Sequence, residues 1–435
     1  MSGFASFTCL ALSPSYFLHH PHRILGLGLL LAAGVHAQEA PSFTLREALA
    51  AALLKNPALQ AQAYEAHIAE ARILQAGIRP NPELSVEVEN ILGTGALSGV
   101  KSLETTLQLS QLIELGESRA RRVATTRIER GLAGTEVEVQ RIEILAEVAR
   151  RFTEAVADTE RLTVARRAHE LGEQTIAAVQ ARVAVGAASP VELNQARNTL
   201  AGLHLAVEHA EHELLVCHQS LAAILGENRP SFGAVHADLQ TLPALPEFED
   251  LAARLEQSPL LTRFGDEARW RESQELLARS LRRSSLRISG GLRRVAQSDD
   301  FGFVASVSLP LAVRDPAAGT VREARERRDQ VAATTQTQRL ELRATLFGVY
   351  QEMLHARTAL AQLTREIIPT AEETLTLINQ GYREGRYPLT ALLEAQQTLV
   401  EFRRQMVANA AAFHLHLITI ERLIGAPVQP PASQP

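Results

Sequence analysis

Carboxylates recur along Glu83-Leu84-Ser85-Val86-Glu87-Val88-Glu89, and Glu104 opens a second run of the same kind. Paired carboxylates can carry general acid–base chemistry when they converge on one substrate. Here the period is two. Glu83, Glu87 and Glu89 share the polar face of a strand, and Leu84, Val86 and Val88 share the other. A row of this kind reads as a wetted lining and not as a pair of general acids. Histidine is the second candidate. His204, His209, His212, Cys217 and His218 fall in one helical stretch, but of these only His209 and His212 share a face at i,i+3 spacing. His414 and His416 sit about 200° apart on a helix and cannot chelate one ion together. His218 stands in an apolar seam, which the sequence does not explain. There is no phosphate-binding GxxxxGK loop, no Ser-His-Asp grouping, no HExxH and no Cys pair. The residues predict no enzyme, no cofactor and no metal centre.

The alternating runs must be strands. Period-two patterning predicts strands at 83–90, 103–112, 286–295 and 301–310, in two hairpins. Arg287 and Arg293 take the polar face of the third, opposite in phase to Leu286, Ile288 and Leu292. Each run has roughly 9 residues, the length that crosses a bilayer when tilted about 45°. An ordinary half-buried sheet has the same alternation. If the strands span a membrane, four are too few to close a barrel, so several copies must contribute.

What positions the strands is a duplication with an offset of 199 residues. Leu392, Leu399, Phe402, Met406, Phe413, Leu417, Ile420 and Ile424 match Leu193, Leu200, Leu203, Val207, Leu214, His218, Leu221 and Leu225. Steps of three, four and seven describe a coiled-coil seam. A turn precedes each copy of the seam: Gly186-Ala187-Ala188-Ser189-Pro190 and Gly385-Arg386-Tyr387-Pro388. Helical stretches of about 100 Å, 116–184 and 317–383, lead into these tips. Pro369 is expected to kink the second. The predicted fold is mainly α with a small β part: long antiparallel helical hairpins plus four strands per chain.

The apolar run Ile24 to Val35 follows Arg23 and precedes Val35-His36-Ala37, so residues 1–37 read as a secretory signal peptide. No Cys follows that run, and no lipid anchor is expected. Removing 1–37 takes away Arg23 alone among the charged residues and leaves 43 basic against 49 acidic, a net −6. This balance argues against nucleic acid as a partner. Cys217 would then be the lone cysteine, which excludes an internal disulfide framework. The organisation reads as a first repeat over 38–226, a linker over 227–246, a second repeat over 247–426 and a disordered tail over 427–435.

With these elements in place the chain resembles the TolC-like outer-membrane efflux channels, over nearly all of residues 44–426. Arg79-Pro80-Asn81-Pro82-Glu83-Leu84-Ser85-Val86-Glu87-Val88-Glu89-Asn90, Glu104-Thr105-Thr106-Leu107 and Ile113-Glu114-Leu115-Gly116 resemble its CzcC-like heavy-metal branch. Leu112 stands where a Pro is common in that family. The resemblance implies a homotrimer in the bacterial outer membrane, in contact with its lipid. Three chains would share one β-barrel and one periplasmic helical tunnel. The partners implied are a periplasmic membrane-fusion adaptor, docking at both tips, and through it an inner-membrane RND pump. By the same resemblance Glu394, Tyr382, Glu192 and Arg386 belong to the entrance gate. Glu394 matches an acidic ring, Tyr382 a tie across the entrance and Glu192 its acidic partner. The family's basic partner lies where this chain has Tyr387, one residue after Arg386. Glu83, Glu87, Glu89, Glu104, Arg287 and Arg293 are expected to line the lumen.

Three readings remain open at this stage. The first is a passive exit duct for divalent heavy-metal cations. The second is the same duct for drugs or secreted polypeptides. The third is a non-channel periplasmic coiled-coil scaffold, which leaves the four repeated strands unexplained.

Overall fold

The structure, a computed structural model, describes residues 43–428. The expected signal peptide (1–37) and residues 429–435 of the expected tail lie outside the described residues.

The first half runs α1 (Leu45–Lys55), α2 (Pro57–Ala76), β1 (Glu83–Glu89), β2 (Glu104–Ile113), α3 (Ser118–Ala184) and α4 (Pro190–Ile224). The second half repeats that order as α5 (Phe248–Leu255), α6 (Pro259–Ser280), β3 (Leu286–Val295), β4 (Asp300–Ser308), α7 (Ala318–Gln362), α8 (Ile368–Arg383) and α9 (Leu389–Ile424). Local chemistry fixes the junctions. Thr44 and Glu47 form a capping box that starts α1. Asn56 ends α1 and caps α2, its Oδ1 accepting the N–H groups of Ala58 and Leu59 at 2.9 and 3.1 Å. Pro57 and Pro259 open α2 and α6, where a missing N–H costs nothing. Between β2 and α3, Gly116 and Glu117 both take positive φ (71° and 63°). Glu114 beside this turn holds Arg122 with two hydrogen bonds, 2.8 and 3.1 Å, and the pairing keeps its carboxyl below the usual range.

All four strands form one antiparallel sheet in the order β1-β2-β3-β4. The two predicted hairpins therefore join at β2–β3, where Leu107 stands opposite Leu292 and Thr106 opposite Arg293. The expected alternation holds across the sheet. Leu84, Val86, Leu107, Leu109, Ile288, Leu292, Phe303 and Val307 form one apolar face, and all are exposed.

Helix α3 is unbroken over 67 residues, or about 100 Å. Its counterpart continues from α7 to α8 through a five-residue π-helical segment, Leu363–Ile367. This is the structural outcome at Pro369. The proline ring would crowd the carbonyl of Arg365 and cannot donate to it. The wider π turn just before it accommodates that loss, and the helix goes on to Arg383.

The seam is the core. Leu392, Leu399, Phe413, Ile420 and Ile424 of α9 are buried, as are Leu221 of α4 and Leu225 at its C-terminal cap. Each such side chain contributes about 1.5–3 kcal/mol on burial. Gly226 and Gly425 end α4 and α9 with φ of 83° and 72°, the same device at the 199-residue offset. A Cβ on Gly226 would sit 2.5 Å from the Lys55 carbonyl oxygen, and one on Gly425 would sit 2.5 Å from Pro259 Cδ. Each glycine thus lets a helix end against the proline-started junction of its own repeat.

Residues 227–246 pack onto the helices: Val235 and Leu239 are buried, and Phe43 stacks on Phe232 at 4.8 Å. At 427–428, where the sequence suggests a disordered tail, Val428 is buried and its N–H donates to Glu421 at 2.9 Å.

Candidate gate, docking tips and channel-lining face

The two tips are built alike. Gly186 and Gly385 have φ of 72° and 78°, with no protein atom in the way of a Cβ at Gly186 and only Arg182 Nη2, at 3.8 Å, near one at Gly385. At the first tip Ser189 caps α4 in a capping box with Glu192, and Pro190 is its first residue. At the second, Pro388 precedes α9, while Tyr387 lies over Gly381, where any Cβ would meet its ring. Gly186, Ala187, Ser189, Pro190, Gly385, Arg386, Tyr387 and Pro388 are exposed, and Ala188 is half-buried.

Between the tips lies a small polar cluster. Tyr382 is 1% exposed, and its hydroxyl points to Glu192 Oε2 at 3.5 Å. The same carboxylate already serves the α4 cap, accepting the Ser189 N–H through Oε1 at 3.4 Å. The cation of the cluster is Arg182, in the last turn of α3. Its Cζ lies 4.5 Å from the centroid of the Tyr382 ring, and its guanidinium donates to the carbonyls of Tyr382 and Ala187. Burial and the negative Glu192 push the Tyr382 phenol up, and Arg182 opposes them. Sequence reasoning missed Arg182, because its contacts with Tyr382 lie 200 residues away and follow no local pattern. Its one local signal is a basic residue in a final helical turn.

Arg386 is drawn elsewhere: its Nε donates to Glu384 at 2.6 Å. The structure thus brings together Tyr382 and Glu192 but neither Arg386 nor Glu394. Glu394 is exposed on α9, facing α8 across a groove of about 540 Å³ that also presents Glu366, Thr370, Thr374, Thr398 and Phe402.

On the sheet, Arg287 pairs with Glu83, and Arg293 pairs with Glu104 and Glu89 at 2.9 and 3.1 Å. Gln108, Ser289 and Ser306 continue the same polar face, linked by 2.7 and 2.6 Å hydrogen bonds. Glu87 is exposed and stands opposite Thr106. Four glutamates and Asp300 against two guanidiniums leave this face net negative. Arg293–Glu104 joins the neighbouring strands β3 and β2, while Arg287–Glu83 and Arg293–Glu89 reach across β2 to β1, so the pairs hold register as well as charge.

Among the described residues no group of three or more His, Cys, Asp and Glu side chains is placed to hold a metal ion. His209 instead meets Glu213 at 3.3 Å. His218 covers Phe232, ring centroids 5.7 Å apart, which accounts for an imidazole in the seam. Cys217 is buried and its thiol is pushed up to about 12, chiefly by desolvation, which disfavours the nucleophilic thiolate. No described helix is long and apolar enough to cross a membrane.

The model of the outer membrane efflux protein family matches residues 48–227 and 277–426, one segment per repeat. The chain belongs to that family. Its members are channels and not enzymes. The chain is 28% identical to the cobalt-zinc-cadmium resistance protein CzcC of Cupriavidus metallidurans, over 89% of this chain and 91% of that one. It shares its fold with CusC at a TM-score of 0.72 and 16% identity, covering 88% of this chain and 92% of that one. Against VceC of Vibrio cholerae the TM-score is 0.71 at 17% identity, covering 88% and 97%. The efflux-channel family gives the exposed apolar strand face its context, an outer membrane.

Proposed function

We propose that three copies of this chain form the exit duct of a tripartite efflux system and that its cargo is divalent heavy-metal cations. The observation that carries the assembly is the sheet. Its outer strands β1 and β4 each have one paired edge, and its apolar face is uncovered. In a bilayer every open edge must be paired, and four strands cannot close on themselves. Other copies supply the missing neighbours, and the negatively charged face lines the lumen.

The helical hairpins extend into the periplasm, and their tips dock a membrane-fusion adaptor bound to an inner-membrane RND pump. The duct holds no energy source of its own. Metal as cargo is supported by the similarity to a cobalt-zinc-cadmium resistance protein along most of both chains. The net negative polar face suits cations.

The test is export from cells lacking their own duct, supplied with this chain, a membrane-fusion adaptor and an RND pump. Cellular zinc, cobalt and cadmium should fall, while retention of organic dyes is unchanged. Export of dyes without export of metal would overturn the cargo assignment and leave the duct. A chain extracted from cells as a detergent-free soluble monomer would overturn both.

A further inference from the structure

His169 on α3 and His204 on α4 face one another across the first hairpin. Their ring centroids are 5.7 Å apart and their planes are inclined at 50°. Burial does not hold His204 there, since its side chain is 63% exposed, while His169 is half-buried. Neither imidazole makes a hydrogen bond among the described residues, and His204 Nε2 lies 3.7 Å from Glu208 Oε1.

The distance between the helices is set by contacts on both sides of the pair. One turn along α3 from His169, the space over Gly172 is taken by Leu200 and Leu203 of α4. A Cβ there would meet their Cδ1 atoms at 3.0 and 2.9 Å. On the other side Arg166 of α3 binds Glu211 of α4 at 2.7 Å. The two rings are therefore presented by helices that cannot easily separate or close.

The centroid separation matches that of a chelating pair. A metal–nitrogen bond of about 2.0–2.1 Å on each side, plus the ring radii, puts the centroids of two coordinating imidazoles about 5–6 Å apart. We propose that His169 and His204 form a two-imidazole site for a borderline divalent cation such as zinc or nickel. Water completes the coordination, and the Glu208 carboxylate supplies a neighbouring negative charge. Two protein ligands make this a weak, exchangeable site. Its occupancy staples α3 to α4. The site does not depend on which solute the duct carries.

The experiment uses the full chain in detergent, without a polyhistidine tag, titrated with Zn²⁺ against a chromophoric chelator. Saturable binding of one ion per chain is expected. His169→Ala and His204→Ala should each weaken it by about 10-fold or more. A His209→Ala/His212→Ala variant should bind like the parent. His204→Cys should restore binding, since a thiolate replaces the imidazole as ligand. Circular dichroism checks that the variants keep their helices. Binding unchanged in the His169→Ala/His204→Ala double variant would overturn the site. So would loss of binding in the His209→Ala/His212→Ala variant, or no saturable binding by the parent chain.

Discussion

Arg182 lies over the ring of Tyr382, its Cζ 4.5 Å from the centroid, and so ties the last turn of α3 to the last turn of α8. The hydroxyl of the same tyrosine reaches Glu192 only at 3.5 Å. The two contacts differ in strength. A good hydrogen bond from a hydroxyl is about 2.5–3.0 Å long, whereas a partly desolvated cation–π contact is worth about 0.5–2 kcal/mol. Arg182 adds hydrogen bonds to the Tyr382 and Ala187 carbonyls.

Arg182→Ala should therefore loosen the tips far more than Tyr382→Phe. The alanine variant leaves two carbonyls and a buried ring without their cation, at a cost of about 1–3 kcal/mol. Removing the Tyr382 hydroxyl should cost under about 1 kcal/mol. Single-channel recording in planar bilayers checks this, with longer or larger openings expected for Arg182→Ala alone. Equal effects of the two substitutions would place the closing energy in the phenol–Glu192 contact instead.

Four glycines with positive φ repeat at the 199-residue offset, yet they should not respond alike. Gly186 and Gly385 have free space around them, so a valine there adds backbone strain of about 1–3 kcal/mol and little else. Export should fall while assembly survives. Gly226 and Gly425 end their helices against Lys55 and Pro259, with no room for a Cβ. Alanine there meets both strain and overlap, about 1–3 kcal/mol each. Thermal unfolding followed by circular dichroism should show the larger loss at 226 and 425. Equal melting temperatures for all four variants would mean that these helix ends yield freely.

Acid should weaken the region around the linker. His218 is pushed below the ordinary imidazole value by burial, against an opposing pull from Asp158, and its Nε2 is buried without a partner. His414 and His416 are lowered by burial too. For each, the unfolded chain takes up a proton that the folded chain refuses. Their stability is complete above the unfolded value of about 6.5 and is lost as the pH falls toward the lowered folded one. His218→Leu, which copies Leu417 of the second repeat, should remove one share of this loss. Melting temperatures at pH 7.5 and 5 would test it. The drop between them should be smaller in the variant, and an undiminished drop would assign the acid sensitivity to other groups.

Much of the fold was legible because it is periodic. Alternation at 83–89 and 301–310 marks strands, and the seam from Leu392 to Ile424 marks a packed helix, since each period projects one face. The tips were legible because glycine and proline punctuate them. What escaped is pairwise. Arg182 meets Tyr382, and His169 meets His204, across two helices each, and no spacing rule links such residues. The π segment also escaped. Pro369 announces a lost hydrogen bond, but kinking and widening answer that loss equally well until the packing of Leu363 and Ile368 is known.

Glu394 supplies the last prediction. It is exposed on α9, and the groove it faces carries Glu366 and three threonines but no basic side chain. If three copies surround one axis, three Glu394 carboxylates repel one another, and a passing cation relieves that repulsion. Glu394→Gln keeps size and hydrogen bonding and removes three charges per trimer. The reversal potential in a salt gradient should then show a reduced cation preference, and block by multivalent cations should weaken. The difference from the parent should shrink as salt rises, because the Debye length falls from about 10 Å at 0.1 M to about 3 Å at 1 M. An unchanged reversal potential at low salt would make Glu394 a solvated helix charge. Selectivity would then rest on the strand face, where Glu87 has no guanidinium bound to it and Arg287 and Arg293 restrain Glu83, Glu89 and Glu104.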